Sequence, residues 1–489
     1  MSPRKSLLLL VVAATLALAL SSCSGLHSAC TTNCGGGDTS LSITISDTPP
    51  TNTSIVSFTL PIIGITLTPS SGSAVSVFSS NPSADFELTR LQSDTNFITT
   101  QKVAAGTYTA VNVTVAAPSG VLYNSSTSPF GTCLAGAVCD LTGATATITY
   151  TFPTSSQLVL TSGGNQWLNL DFAYNNAIVS TTNSVGIDVT QTGVMTATTT
   201  VPSGVPSGNF ANIDDFTGSI TAISSSSITV QSSIRGSMTA TLSSSIPVYD
   251  PLNQCTGGGS LTCIGKGSIV SLQAVLSTTG VLTATSLDVI DKSPTPADEV
   301  EGTIYGLCSG GTSYGIILSD STIFTSSSPL TSAGFGSAVC LAPGTAAGFH
   351  IDDGILTGQS GVPVSAGFSS PSDFLVGQTV RAPITGATSG TNTINATATE
   401  FILRFSRITV TVGTPSSLTF SISALPAFMA SQFTVTPQVQ TYINATLLEG
   451  ITSISSLQSG QNVSISTLIL NPATASTQFA FQAAKVRQP

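Results

Sequence analysis

Gly267-Ser268-Ile269-Val270-Ser271-Leu272 returns as Gly377-Gln378-Thr379-Val380-Arg381-Ala382 and again as Gly460-Gln461-Asn462-Val463-Ser464-Ile465. In each copy a glycine turn opens a run in which apolar and polar residues alternate, the period of a strand with one covered face. Upstream of each copy lies a strand pair: Gly218-Ser219-Ile220 with Ser227-Ile228-Thr229-Val230, Gly302-Thr303-Ile304 with Gly315-Ile316-Ile317-Leu318, and Ile408-Thr409-Val410 with Phe433-Thr434-Val435. Downstream comes a strand opening on alanine: Ala284 to Val289, Ala398 to Leu403, and Ala483 to Val486. Three units of about five strands are expected, over 214–297, 298–406 and 407–489. A unit this small hides its strand edges most simply by closing into a barrel.

Working outward, residues 41–200 read as one further all-β unit, an immunoglobulin-like β-sandwich. Leu41-Ser42-Ile43-Thr44-Ile45, Ala110-Val111-Asn112-Val113-Thr114-Val115 and Trp167-Leu168-Asn169-Leu170-Asp171-Phe172 alternate with period two, and Asp47-Thr48-Pro49-Pro50, Ala117-Pro118-Ser119-Gly120 and Ser162-Gly163-Gly164 punctuate them with turn formers. Phe86 to Lys102 is less periodic and is expected to hold one short helix or a long crossover. The duplicated Val201-Pro202-Ser203-Gly204-Val205-Pro206-Ser207-Gly208 marks 201–213 as a linker.

Two resemblances rest on these residues. Ser46-Asp47-Thr48-Pro49, Phe86-Glu87-Leu88-Thr89, Val103-Ala104-Ala105-Gly106-Thr107-Tyr108 and Leu168-Asn169-Leu170-Asp171-Phe172 resemble the bacterial lipoprotein family termed domain of unknown function 4382. That resemblance implies a secreted, lipid-anchored β-domain and brings no catalytic residues with it. Asp47 and Asp171 within these stretches read as a turn-capping carboxylate and a strand-edge charge. The three repeats resemble a second uncharacterised bacterial family, domain of unknown function 5666, in the opening Gly-x-Ile and the later Gly-x-x-Val. The third copy departs from it by lacking the opening glycine.

The amino-terminal end bears on location. Arg4-Lys5 precedes an apolar run from Leu7 to Leu20, too short for the roughly 20 residues of a spanning helix and composed like a secretory signal. Leu20-Ser21-Ser22-Cys23 resembles a lipobox, so 1–22 is read as a lipoprotein signal peptide, Cys23 as the lipidated residue and 23–40 as a flexible tether. The expected location is the bacterial cell envelope, exported and held to a membrane through the lipid. Ser24 resembles the residue of lipoproteins sent to an outer membrane, where the organism has two membranes.

Nine cysteines are present, and assigning Cys23 to lipid leaves eight that fall into neighbours: Cys30 with Cys34, Cys133 with Cys139, Cys255 with Cys263, and Cys308 with Cys340. These are disulfide candidates, in keeping with an oxidising compartment. His27 beside Cys30 and Cys34 falls short of four zinc ligands, so no metal is expected.

Only 7% of residues are charged, with 12 Lys+Arg against 22 Asp+Glu. No basic stripe exists to neutralise phosphates, so nucleic acid is not an expected partner. A mean hydropathy of +0.39 is interrupted throughout by Ser and Thr, as in half-buried strands. His350, near Asp352-Asp353, is the one histidine beyond the tether, and Gly311-Thr312-Ser313-Tyr314-Gly315 has the spelling of a nucleophile elbow. Ile316-Ile317-Leu318 continues as a strand, whereas an elbow needs a strand-to-helix turn, so a plain hairpin is expected. Asp214-Asp215 and Asp352-Asp353 read as solvated loop charges, and Trp167 as a candidate ligand contact. The resulting expectation is a non-enzymatic, lipid-anchored binding or structural protein without cofactor. A glycan or an envelope protein is its candidate partner. A carbohydrate-binding or adhesion lipoprotein is the alternative, and a hydrolase the weakest reading.

Overall fold

Leu41, Ser42, Ile43, Thr44 and Ile45 are all buried, so the strand Asp38–Asp47 is covered on both faces rather than one. Its apolar face enters the sandwich core, and on its polar face Thr44 Oγ1 accepts from Trp167 Nε1 (2.9 Å) and donates to Asn169 Oδ1 (2.8 Å). The computed structural model describes residues 37–48, 54–181, 184–232, 234–293, 296–308, 311–362, 366–390, 393–433, 436–475 and 480–488.

Asp38–Asp47 is one of two inner strands of a four-stranded sheet, parallel to Asn165–Phe172 and antiparallel to Asn96–Ala104, with Met195–Thr198 at the far edge. The facing seven-stranded sheet is built around Ile55–Pro69 and Gly106–Val115. Leucines, isoleucines and valines of both sheets share one core, which makes this region a β-sandwich. The stretch 86–102 resolves into a single 3-10 turn, Leu88–Leu91, capped by the Glu87 side chain, followed by the strand Asn96–Ala104.

Beyond the sandwich the chain builds one five-strand plan three times. The first unit uses Asn209–Ile223, Ser227–Ser232, Gly236–Thr241, Ile269–Ser277 and Leu282–Asp291. The second uses Asp298–Leu307, Tyr314–Thr322, Ala338–Ile351, Thr379–Ser389 and Ile394–Arg404. The third uses Ser406–Pro415, Thr419–Ala424, Gln438–Gln440, Asn462–Ile469 and Phe481–Arg487. In each, the first strand pairs with the second and fourth, the second with the third, the fourth with the fifth, and the third runs parallel to the fifth. That ring order is the Greek-key barrel of the OB-fold. Nine residue pairs close the middle barrel, against one in the first and two in the third.

Sterics explain the repeated glycines. A Cβ on Gly218 would lie 2.2 Å from Gln231 O, and one on Gly302 2.3 Å from Ile317 O, so the first two strands cross too closely there for a side chain. The third barrel carries Val410 at this register, opposite Val463 as Gly218 is opposite Val270, and its close crossing moves to Gly413. Gly267, Gly377 and Gly460 all have φ near +90°, and their N–H groups donate to Ile220, Ile304 and Val412 in the same place of each barrel (2.8–2.9 Å).

Two expectations are corrected. The partner of Ile408-Thr409-Val410 is not Phe433-Thr434-Val435: Thr419–Ala424 fills the second-strand position, Phe433 follows a 3-10 turn, and 434–435 lie outside the described residues. The segment read as the linker 201–213 already enters the first barrel strand at Asn209, and Gly450 N donates to Ser203 O (2.7 Å). Residues 38–489 form one compact unit rather than a string of beads.

Candidate functional site

The chain has 12 basic residues, and seven of them meet inside the molecule: Arg90, Arg235, Arg381, Arg404, Arg407, Lys485 and Arg487, with side chains at most 10% exposed. The carboxylates of Asp94, Asp214, Asp215, Asp288, Glu299, Glu301, Asp320, Asp352 and Glu449 surround them, at most 14% exposed. Charges this deep persist only when paired, because leaving water costs several kcal/mol per ion.

The pairs run between the four β-units. Arg90, on the sandwich's 3-10 turn, reaches Asp215 of the first barrel and Glu301 of the second (Nη1 to Oε1, 2.7 Å). Arg407 of the third barrel bonds Asp94 of the sandwich (2.8 Å) and Asp215 (2.7 Å). Arg404 of the second contacts Asp352 and reaches back to Asp215 (3.4 Å). Lys485 of the third barrel joins Asp214 (2.9 Å) to Glu449 (3.1 Å). Gln92 Oε1 accepts from Thr409 Oγ1 (3.1 Å), so the sandwich's turn touches every barrel.

The carboxylates respond unequally. Burial pushes Asp214 up to about 6 despite Lys485, with Asp94 and Glu449 adding repulsion. Burial likewise pushes Asp288 up to about 6 against the pull of Arg404. For Asp215 the burial penalty is overcome by Arg90, Arg407 and Arg404, which hold it well below the usual carboxylate range. Asp171 also approaches Arg487 (3.7 Å), so ten carboxylates face seven cations, and burial raises Glu299 and Asp320 in the same direction as Asp214 and Asp288. A small internal cavity of about 30 Å³ borders Arg90 and Arg407, large enough for an ordered water.

The residues singled out in the sequence fare differently. Cys23, Cys30, Cys34 and His27 lie outside the described residues. Cys133–Cys139, Cys255–Cys263 and Cys308–Cys340 are joined as disulfides. Trp167 offers no face to a ligand: it is 3% exposed, its N–H is spent on Thr44, and Phe210 of the first barrel stacks on it at 6.2 Å. Asp214-Asp215 and Asp352-Asp353 are not simply solvated charges, since Asp215 and Asp352 are buried in the ionic centre and Asp214 holds Lys485. His350 Nε2 lies 3.0 Å from Glu400 Oε2, both about one-third exposed, and among the described residues no hydrogen bond links it to Ser313. Asp47 is wholly buried, accepting from Tyr174 N, and burial together with Asp171 holds its carboxyl well above the usual range. Asp171 accepts from the hydroxyls of Ser46 and Thr48 (2.6 Å each).

Sequence reasoning missed the ionic centre. Its one local trace is a basic residue embedded in an apolar strand, as in Phe401-Ile402-Leu403-Arg404-Phe405-Ser406-Arg407-Ile408.

Two clefts open on the surface where barrels meet the sandwich. One, about 530 Å³, lies between the sandwich strands Ser119–Tyr123 and Val138–Thr142 and the facing ends of the second barrel's strands Thr379–Ser389 and Ile394–Arg404. The other, about 430 Å³, lies between Phe97 and Thr100 of the sandwich and the first barrel at Gly280 to Leu282. Neither is lined by Lys or Arg. Among the described residues no helix is long and apolar enough to cross a membrane, and no group of three or more His, Cys, Asp or Glu is placed to hold a metal ion.

These features define an all-β, disulfide-stapled protein whose units are joined through buried charge. The family model for "Domain of unknown function (DUF4382)" matches residues 38–190, the sandwich. No curated protein matches the chain. Among solved structures, one described as Drosophila Unr CSD456 is similar at 9% identity over 56% of this chain and 97% of that one, with a TM-score of 0.13.

Proposed function

We propose that the protein is a non-enzymatic component of the bacterial cell envelope, anchored by lipid on Cys23, whose sandwich and three barrels act as one rigid binding or structural body. The observation that carries this reading is the ionic centre: charged side chains that could serve chemistry are spent on one another, holding four β-units in fixed register. Three disulfides agree with an oxidising compartment. The Leu20-Ser21-Ser22-Cys23 stretch supports lipidation, and Ser24 an outer-membrane destination. The likeness of the barrels to domain of unknown function 5666 belongs to the same reading and supplies no activity. An adhesion or glycan-binding role is the second reading, favoured by clefts that are free of basic side chains. The anchor is tested on the full chain in its bacterial host. Radiolabelled palmitate enters the wild type, and Cys23→Ser releases the protein from the membrane fraction; unlabelled protein that stays membrane-bound in both forms overturns the anchor.

A further inference from the structure

We infer that the cleft between the sandwich and the second barrel is a binding site for an uncharged glycan. Its volume of about 530 Å³ falls within the range of small-molecule sites, and it sits at a junction of two units, where such sites concentrate. Six of its lining side chains carry hydroxyls, and five of these, Ser119, Thr142, Ser337, Ser389 and Thr393, make no hydrogen bond within the described residues. Asp140, the one charged residue of the lining, is exposed and likewise without a protein partner. An exposed carboxylate beside hydroxyls that are unbonded among the described residues offers acceptors and donors to a ligand from outside.

The lining selects the ligand class. An acid with no base beside it repels phosphate, sulfate and uronate, and accepts strongly from sugar hydroxyls. Serine and threonine both donate and accept, as a polyol requires. Phe335, half-buried on the wall, offers an apolar surface to the C–H face of a sugar ring. Gly336 leaves the backbone near Ser57 and Val121, where an added Cβ would lie 3.2 Å from each, so the cleft floor is the packed junction itself and its shape is fixed before binding. The first barrel's cleft, with Phe97, Val281 and Leu282 and no acid, lacks this chemistry.

The inference deepens the binding-module reading and rests on it. The test uses the full disulfide-bonded chain and calorimetric titration with cellotetraose, xylotetraose, maltotetraose and N-acetylchitotetraose, with tetragalacturonate as the anionic control. At least one neutral probe binds saturably, one per chain. Asp140→Ala and Thr393→Ala each weaken it about tenfold, while Thr100→Ala in the other cleft leaves it within about twofold. Asp140 is exposed and Thr393 half-buried, and unchanged melting temperatures separate lost binding from lost folding. Silence of all four neutral probes, preference for tetragalacturonate, or full affinity in both variants overturns the site. A chain that keeps its palmitate but ignores every glycan loses the cleft assignment alone.

Discussion

At one register position the three barrels carry different chemistry on the same backbone. The first strand faces the fourth as Thr217 with Ser271 in the first barrel, Glu301 with Arg381 in the second and Thr409 with Ser464 in the third. Two residues earlier stand Asp215, Glu299 and Arg407. Asp215 and Arg407, corresponding residues of the first and third barrels, bond each other at 2.7 Å, while Glu299 is held within its own barrel by Arg381, also at 2.7 Å. The repeat therefore conserves backbone geometry and diverges where the copies touch. A barrel identical to its neighbours would bring like charges together at the centre, and the observed set makes the three positions complementary instead.

Breaking the second barrel's pair has the largest expected effect. Arg381→Met leaves Glu299 and Glu301 buried with one cation fewer, a loss of about 3–5 kcal/mol, visible as a lower denaturant midpoint. Next comes pH. The folded chain keeps protons on Asp214 and Asp288 up to about pH 6, whereas an unfolded aspartate releases its proton near pH 4. That stabilisation is complete below about pH 4 and is lost as pH rises through 6, so the midpoint is higher at pH 5 than at pH 7.5, by on the order of 2 kcal/mol. Asp215, Glu301 and Glu449 are held low and work in the opposite sense, with losses that begin only below about pH 4. Asp214→Asn flattens the rise, and a midpoint that instead falls between pH 7.5 and 5 contradicts the assignment. The smallest effect is Ser464→Ala, which removes one neutral hydrogen bond to Thr409 (2.8 Å) and costs about 1 kcal/mol. If Ser464→Ala proves as damaging as Arg381→Met, the contrast between barrels fails.

Much of the architecture was legible because its cause is local. Gly267, Gly377 and Gly460 mark turns that need φ near +90°, and the alternating runs after them are strands. The ionic centre was not legible because each of its bonds joins residues far apart in sequence: Arg90 meets Glu301, and Asp94 meets Arg407. Asp214 and Asp215 sit where the ladder slips between Ile213 and Phe216, and their different partners both lie inside, Lys485 for one and Arg90 for the other. Trp167, a candidate ligand contact in the sequence, is covered by the first barrel. Period-two patterns report which side of a strand is apolar, not whether another unit will sit on the polar side. Cys133–Cys139 and Cys255–Cys263 were readable from spacing, because short loops leave few other partners within reach.

Lys485 and Arg487 lie in the final barrel strand, yet they neutralise Asp214 and Glu449 and approach Asp171. A polypeptide made from its amino end exposes those acids long before the matching cations leave the ribosome. A frameshift that costs only this strand would leave Asp214 of the first barrel, Glu449 of the third and Asp171 of the sandwich without these cations. Quality-control proteases would meet such a truncated product as an opened body rather than as an intact protein missing one blade.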